Sequence, residues 1–166
     1  MVNKQLPPGY RLDLGSGLDR SLLVKFMQRT YQEIATGSYG HLAQTVENYL
    51  SRETPLWWVR EVKATSNPSG LSGTQRVVPI ACLWMGTAID QLRGDRHTHI
   101  FLLYVEPAHR RRGIGSALMH QAEDFAQARG DRQVGLQVFQ SNRVALQMYE
   151  NLGYQVQSLW MVKPLG

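Results

Sequence analysis

The chain has 166 residues, the length of about one domain, enough to bury roughly 68–70% of the surface its unfolded form would expose. With 43% hydrophobic and 19% charged residues it excludes wholesale disorder, and 18 Lys and Arg against 13 Asp and Glu leave a charge of +5 that favours an anionic partner. One cysteine excludes an internal disulfide framework and a multi-cysteine zinc site, and no apolar run reaches the ~18 residues that span a bilayer.

The opening MVNKQLPPGYRLDLG lacks the apolar core of a secretory signal, so a soluble, cytoplasmic protein, one domain over 1–166 with no membrane attachment, is expected. Residues 10–14 alternate and predict a short strand after Pro7-Pro8-Gly9. Asp19 has the position of an N-cap for a helix whose apolar face is Leu22, Leu23, Phe26, Met27, Tyr31 and Ile34. Gly37 and Gly40 interrupt it, and Leu42, Val46, Tyr49 and Leu50 predict a second, shorter helix. A strand over 56–63 is followed by a polar loop over 65–75. The apolar runs 77–86 and 99–105 lack clean alternation, as interior strands covered on both faces do, with a turn or surface loop over 86–97 between them. Residues 114–129 carry Ile114, Leu118, Ala122 and Phe125 on one helical face and stop at Gly130. A strand over 134–139, a short helix opened by Asn142 and stopped near Gly153, and a last strand over 154–162 complete the chain. Alternating strands and helices mean an α/β or mixed sheet with covering helices, without repeats, low-complexity blocks or linkers.

The strongest local signal runs from Val105-Glu106-Pro107 through Arg110-Arg111-Arg112-Gly113-Ile114-Gly115-Ser116. A buried strand, a loop with two glycines and a helix N-terminus present bare N–H groups and the positive end of a helix dipole, which suit phosphate oxygens. On glycine spacing alone, a solvated basic turn fits equally well. A P-loop is absent, and Leu118 stands where the dinucleotide-binding motif needs a small residue.

Arg110-x-x-Gly113-x-Gly115 resembles the [Gln/Arg]-x-x-Gly-x-[Gly/Ala] signature of the GNAT superfamily of acyl-CoA N-acyltransferases. A strand ending in Val-x-Pro precedes it, an amphipathic helix follows, and Asn142…Ala145…Tyr149…Gly153-Tyr154 is similar to the family's later motif. The resemblance covers about residues 77–162. It implies a mixed, mostly antiparallel central sheet of about six or seven strands flanked by about four helices, and acetyl-CoA as cosubstrate. It further implies that Leu103, Tyr104 and Val105 offer main-chain bonds to pantetheine and the acyl carbonyl. Residues Arg110, Arg111, Arg112, Gly113, Ile114, Gly115 and Ser116 would then hold the pyrophosphate, Asn142 the pantetheine arm, and Tyr149 the CoA sulfur. The implied activity is N-acetyl transfer to a primary amine of a protein, peptide or small molecule, by direct attack in a ternary complex. An acyl-CoA-binding regulatory module without catalysis is the alternative.

Such chemistry needs a donor for the developing oxyanion, a group at the leaving thiolate and a base. A backbone N–H near Val105 and the Tyr149 hydroxyl fill the first two roles; a core tyrosine is the competing reading of Tyr149. Many relatives place a carboxylate six residues before the Val of Val-x-Pro, where this chain has His99. An imidazole with a reference pKa of about 6.5 suits a base; a structural histidine is an equal alternative. Glu33 and Glu61 stand in reserve. His97 and His99 share a strand face, but no carboxylate or cysteine ligand lies at supporting spacing, and no metal is expected. Cys82 reads as a buried, inert thiol. The basic surface reads as serving CoA rather than nucleic acid. Acceptor specificity, by resemblance, falls in the first two helices, their connection and the 86–97 segment. The SLWMV stretch suits either a homodimer edge or core packing.

Overall fold

In the computed structural model, which describes residues 5–62 and 77–166, strand β1 (Tyr10–Leu14) runs antiparallel to β2 (Leu56–Glu61). The polar stretch 65–75 lies outside the described residues. Helix α1 (Arg20–Gln32) has the expected Asp19 at its N-cap position, without a side-chain cap bond, and is entered through a 3-10 turn that Ser16 caps. The Ser16 hydroxyl accepts the Leu18 N–H at 3.2 Å and Asp19 accepts the Ser16 N–H at 2.7 Å, so Asp19 is the reciprocal arm of a capping box. Helix α2 (His41–Tyr49) follows. Strands β3 (Ala81–Ile89) and β4 (Arg96–Val105) form the long central hairpin. Helix α3 (Ile114–Arg129) crosses over to β5 (Val134–Leu136), which lies parallel to β4, and α4 (Arg143–Asn151) closes the regular structure.

The sheet order is β1-β2-β3-β4-β5, antiparallel except at its last pair. Leu23, Phe26, Met27, Leu42 and Val46 of the first two helices pack on Trp58, Cys82, Trp84, Leu102 and Tyr104 on one face. Ile114, Leu118, Met119 and Ala122 of α3 pack on Val59, Ala81, Leu83, Met85 and Ile100 on the other, with Met148 and Tyr149 of α4. Successive side chains of β3 therefore enter different cores, which is why Ala81–Gly86 shows no polar alternation.

Two boundaries differ from expectation for a visible reason. The turn between β3 and β4 is only 90–95, closed by the Asp90 carboxylate, which accepts the N–H groups of Leu92 and Arg93 at 2.8 and 2.9 Å. Among the described residues the sheet has five strands rather than six or seven. Residues 154–162 form no strand, and Trp160 and Met161 are 82% and 87% exposed. The strand β5 beside β4 is itself only three residues long.

The β3–β4 hairpin carries a β-bulge. Trp84 pairs with Leu102 and Met85 with Ile100, so Phe101 is the extra residue of β4. Its ring lies over Gly86, where a Cβ would overlap the ring, and packs edge-on against Trp84 at 5.0 Å. Overpacking of this kind costs about 1–3 kcal/mol. A Gly86→Ala protein is expected to lose that much in denaturant unfolding, and an unchanged midpoint would show that the ring moves freely.

Candidate functional site

Beyond the bulge, β4 is left with one bare edge. It pairs with β3 along its length, but β5 accompanies it only from Thr98 to Ile100. The Glu106 N–H donates to Ile80 on the β3 side at 2.8 Å. Main-chain groups alternate along a strand, so those of Leu103 and Val105 face the open edge and those of Tyr104 face β3. Of the three residues expected to offer main-chain bonds, Leu103 and Val105 are thus turned to the unpaired edge. Buried backbone groups require partners, and a ligand carrying amides can supply them.

The open edge leads to the N-terminus of α3. Gly113 caps the helix with φ 87°, no side chain caps it, and no acidic residue stands in its first turn. The first intrahelical bond runs from the Ala117 N–H to the Gly113 carbonyl at 3.0 Å, which leaves the N–H groups of Ile114, Gly115 and Ser116 uncommitted. Nothing lies within 4 Å of where a Cβ on Gly113 would stand, and Arg111 also has positive φ, 63°. Uncommitted N–H groups, an aligned dipole and open space above Gly113 form a cradle of the kind that suits an anion.

The three arginines divide their work. Arg110 forks onto Glu33 with bonds of 2.7 and 2.9 Å, donates from Nε to the Val105 carbonyl at 2.8 Å, and lies over the Tyr104 ring. Arg112 donates to the Tyr10 hydroxyl at 2.9 Å and the Ala108 carbonyl at 3.1 Å. The same hydroxyl meets Nδ1 of His109 at 2.9 Å, so His109 is tied into the loop. The Arg111 side chain is exposed and makes no hydrogen bond or ion pair with the described residues. It is the member of the run left free to meet an anion.

The candidate reacting groups lie on opposite faces of the sheet. Tyr149 packs in the core that holds Leu103, Val105, Ile114 and Leu136, with its ring 6.0 Å from Tyr154. Its neighbour Met148 touches the start of α3, its sulfur 3.0 Å from where a Cβ on Gly115 would lie. Burial pushes the Tyr149 phenol up to about 12, so it is a neutral donor throughout the physiological range. Asn142 uses its carbonyl oxygen to cap α4 at Ala145 (3.2 Å), which leaves its NH₂ free to donate. His99 lies across from Gly135 on the other face, with the Phe101 ring at 5.8 Å and the His97 ring at 6.4 Å. Burial, and then the charge of His97, lower its pKa, so the imidazole is neutral at pH 7.

The reserve carboxylates fare differently. Glu33 is committed to Arg110 and also accepts the Tyr104 hydroxyl at 3.2 Å, while Glu61 pairs with Tyr10 at the far side of the sheet. The Glu33–Arg110 pair joins residues 77 positions apart, and no local pattern announces it. Cys82 is fully buried, and burial pushes its thiol well above its ordinary range. Among the described residues no group of three His, Cys, Asp or Glu is placed to hold a metal, and no helix is long and apolar enough to cross a membrane.

Residues 24–154 match the model of the acetyltransferase (GNAT) family. An uncharacterised N-acetyltransferase of Methanocaldococcus jannaschii is 35% identical over 74 residues, which are 45% of this chain and 31% of that protein. N-acetyltransferase family 8 member 3 of Rattus norvegicus is 28% identical over 134 residues, 81% of this chain and 52% of that protein. The matched stretch thus spans about a third to a half of these curated relatives. Among solved structures, a GCN5-related N-acetyltransferase from Ralstonia eutropha superposes with TM-score 0.73 at 21% identity, covering 95% of this chain and 99% of that one. An acetyltransferase of Clostridium acetobutylicum, solved with acetyl-CoA, gives 0.69 at 18% identity over 94% of this chain and 96% of that one. These likenesses show the fold.

Proposed function

Because the chain belongs to the GNAT family of acetyltransferases, we propose that it transfers acetyl from acetyl-CoA to a primary amine, by direct attack in a ternary complex. The observation that carries this reading is the junction of the bare β4 edge with the uncapped α3 N-terminus. Val105 and Leu103 bond the pantetheine amides and hold the acyl carbonyl, and the N–H groups of Ile114, Gly115 and Ser116 receive the pyrophosphate. Arg111 adds charge there, and the free NH₂ of Asn142 reaches the pantetheine arm. The thioester supplies the acyl group and a leaving thiolate. His99, neutral at pH 7, takes the proton of the attacking amine directly or through water. Tyr149 meets the sulfur from the opposite face. Burial pushes the phenol up to about 12, well above an ordinary thiol, so Tyr149 steadies the thiolate by a hydrogen bond rather than by completed transfer.

Release of free CoA, followed across peptides with free N-termini, lysine peptides, polyamines and aminoglycosides beside calorimetric acetyl-CoA binding, tests this reading. Turnover with one class establishes the enzyme and its acceptor. Binding without turnover on any amine would turn the reading toward a regulatory acyl-CoA-binding module, and no binding would overturn it.

The division of the arginines has its own consequence. Arg111→Ala is expected to weaken acetyl-CoA binding about tenfold at low salt, by loss of a charge-assisted phosphate contact. Because the contact is exposed, the deficit should shrink as ionic strength rises. Unchanged affinity at low salt would remove Arg111 from the phosphate site.

A further inference from the structure

Two ion pairs of opposite sense stitch the C-terminal end of α1 to the connection between β4 and α3. Arg29 reaches down to Glu106, and Arg110 reaches up to Glu33. The second pair does more than hold a helix. The Arg110 guanidinium makes a bidentate bond to Glu33 through Nη2 while its Nε caps the Val105 carbonyl, on the open strand edge. The Tyr104 hydroxyl donates to the same carboxylate, and the Tyr104 ring lies under the guanidinium at 5.5 Å. Arg110 is therefore held at four points, the two Glu33 oxygens, the Val105 carbonyl and the Tyr104 ring. These contacts make the first arginine of the signature a strut.

We propose that Glu33 is a positioning residue for the cofactor site, which by gripping Arg110 sets the register between the Val105 edge and the phosphate cradle. This rests on the acetyl-CoA reading above. The grip matters because the residue after Arg110 must adopt positive φ, a conformation uncommon outside glycine that needs surrounding structure to hold it. Without Glu33, Arg110 is free to swing, and the turn carrying Arg111 and Gly113 loses its anchor on the strand. The pair also ties the cradle to α1, whose end leads into the connection with α2.

The rival arrangement has the opposite sign. If Arg110 left Glu33 to bind phosphate when the cofactor arrived, Glu33 would be a competitor, and removing its charge would tighten binding. The test is calorimetric acetyl-CoA affinity and steady-state kinetics for Glu33→Gln, Arg110→Gln and the double variant, with wild type alongside. Positioning predicts that each single variant raises the dissociation constant and KM for acetyl-CoA about tenfold, and that kcat at saturation stays within about twofold. The double variant should be no worse than either single one, since coupled groups lose their shared contribution once. Tighter binding by Glu33→Gln, a much larger loss for Arg110→Gln than for Glu33→Gln, or additive losses would overturn the proposal. So would a fall in kcat with unchanged KM. Circular dichroism melts of the three variants keep a folding defect from passing as a binding one: a loss of affinity that merely followed a lowered melting temperature would count against positioning. Absence of acetyl-CoA binding by wild type would instead overturn the functional reading itself.

Discussion

Tyr149→Phe is expected to lower kcat about a hundredfold and to leave the acetyl-CoA dissociation constant within twofold. The hydroxyl lost is one oxygen at the rim of a core whose other contacts come from the ring, and phenylalanine keeps those. Ground-state binding therefore changes little, and the loss falls on the step in which charge gathers on sulfur. A preorganised donor aimed at developing charge in a site shielded from water contributes about 10²–10³ to rate. Since the phenol sits at about 12, its protonation does not change between pH 6 and 10. The pH–rate profile of Tyr149→Phe should thus be lower but unaltered in shape. Stopped assays of CoA release over that range, with calorimetry at one pH, check both points. An unchanged kcat would return Tyr149 to a packing role.

What the sequence showed follows the reach of each signal. The helix over 114–129 and its Gly130 stop were legible because a 3.6-residue period and an αL glycine are local properties, and both stand as expected. The strand end and the uncapped helix start at Gly113 were legible for the same reason, being adjacent in the chain. The division of labour among Arg110, Arg111 and Arg112 was not legible. It depends on Glu33 and Tyr10, which the fold brings to the loop from 77 and 102 residues away. The bulge at Phe101 was hidden too, because an apolar run buried on both faces carries no alternation to break. That one extra residue changes the parity of the strand: Phe101 and Leu102 both turn to one core, so Leu102 and Tyr104 lie on that side while Ile100, Leu103 and Val105 lie on the other. The strand expected over 154–162 did not form, since apolar, β-rich residues make a strand only where another strand offers a ladder.

His99→Gln is expected to lower the rate about a hundredfold near neutrality, a typical contribution for a positioned general base, and to remove one limb of the pH profile. The sign follows from the direction of the shift. Burial and His97 disfavour the charged imidazole, so its folded pKa lies below the ordinary 6.5. In the wild type the base is unprotonated at pH 7, and its loss appears as a fall in kcat/KM on the acid side, below pH 6.5. Any rise on the alkaline side then belongs to the amine acceptor, which reacts only as the free base, and survives in the variant. Stability carries the same signature. Between 6.5 and the lower folded pKa the unfolded chain binds a proton that the folded one does not, so wild-type stability is complete above 6.5 and declines as the pH falls through that window. Glutamine does not titrate, so the variant should lack this part of the decline. Paired pH–rate and pH–melting series on the two proteins separate the roles. Loss of the acid limb together with the stability slope identifies His99 as both buried titrating group and base. Loss of the slope with an intact acid limb would leave His99 a structural histidine and pass the proton to water or another group.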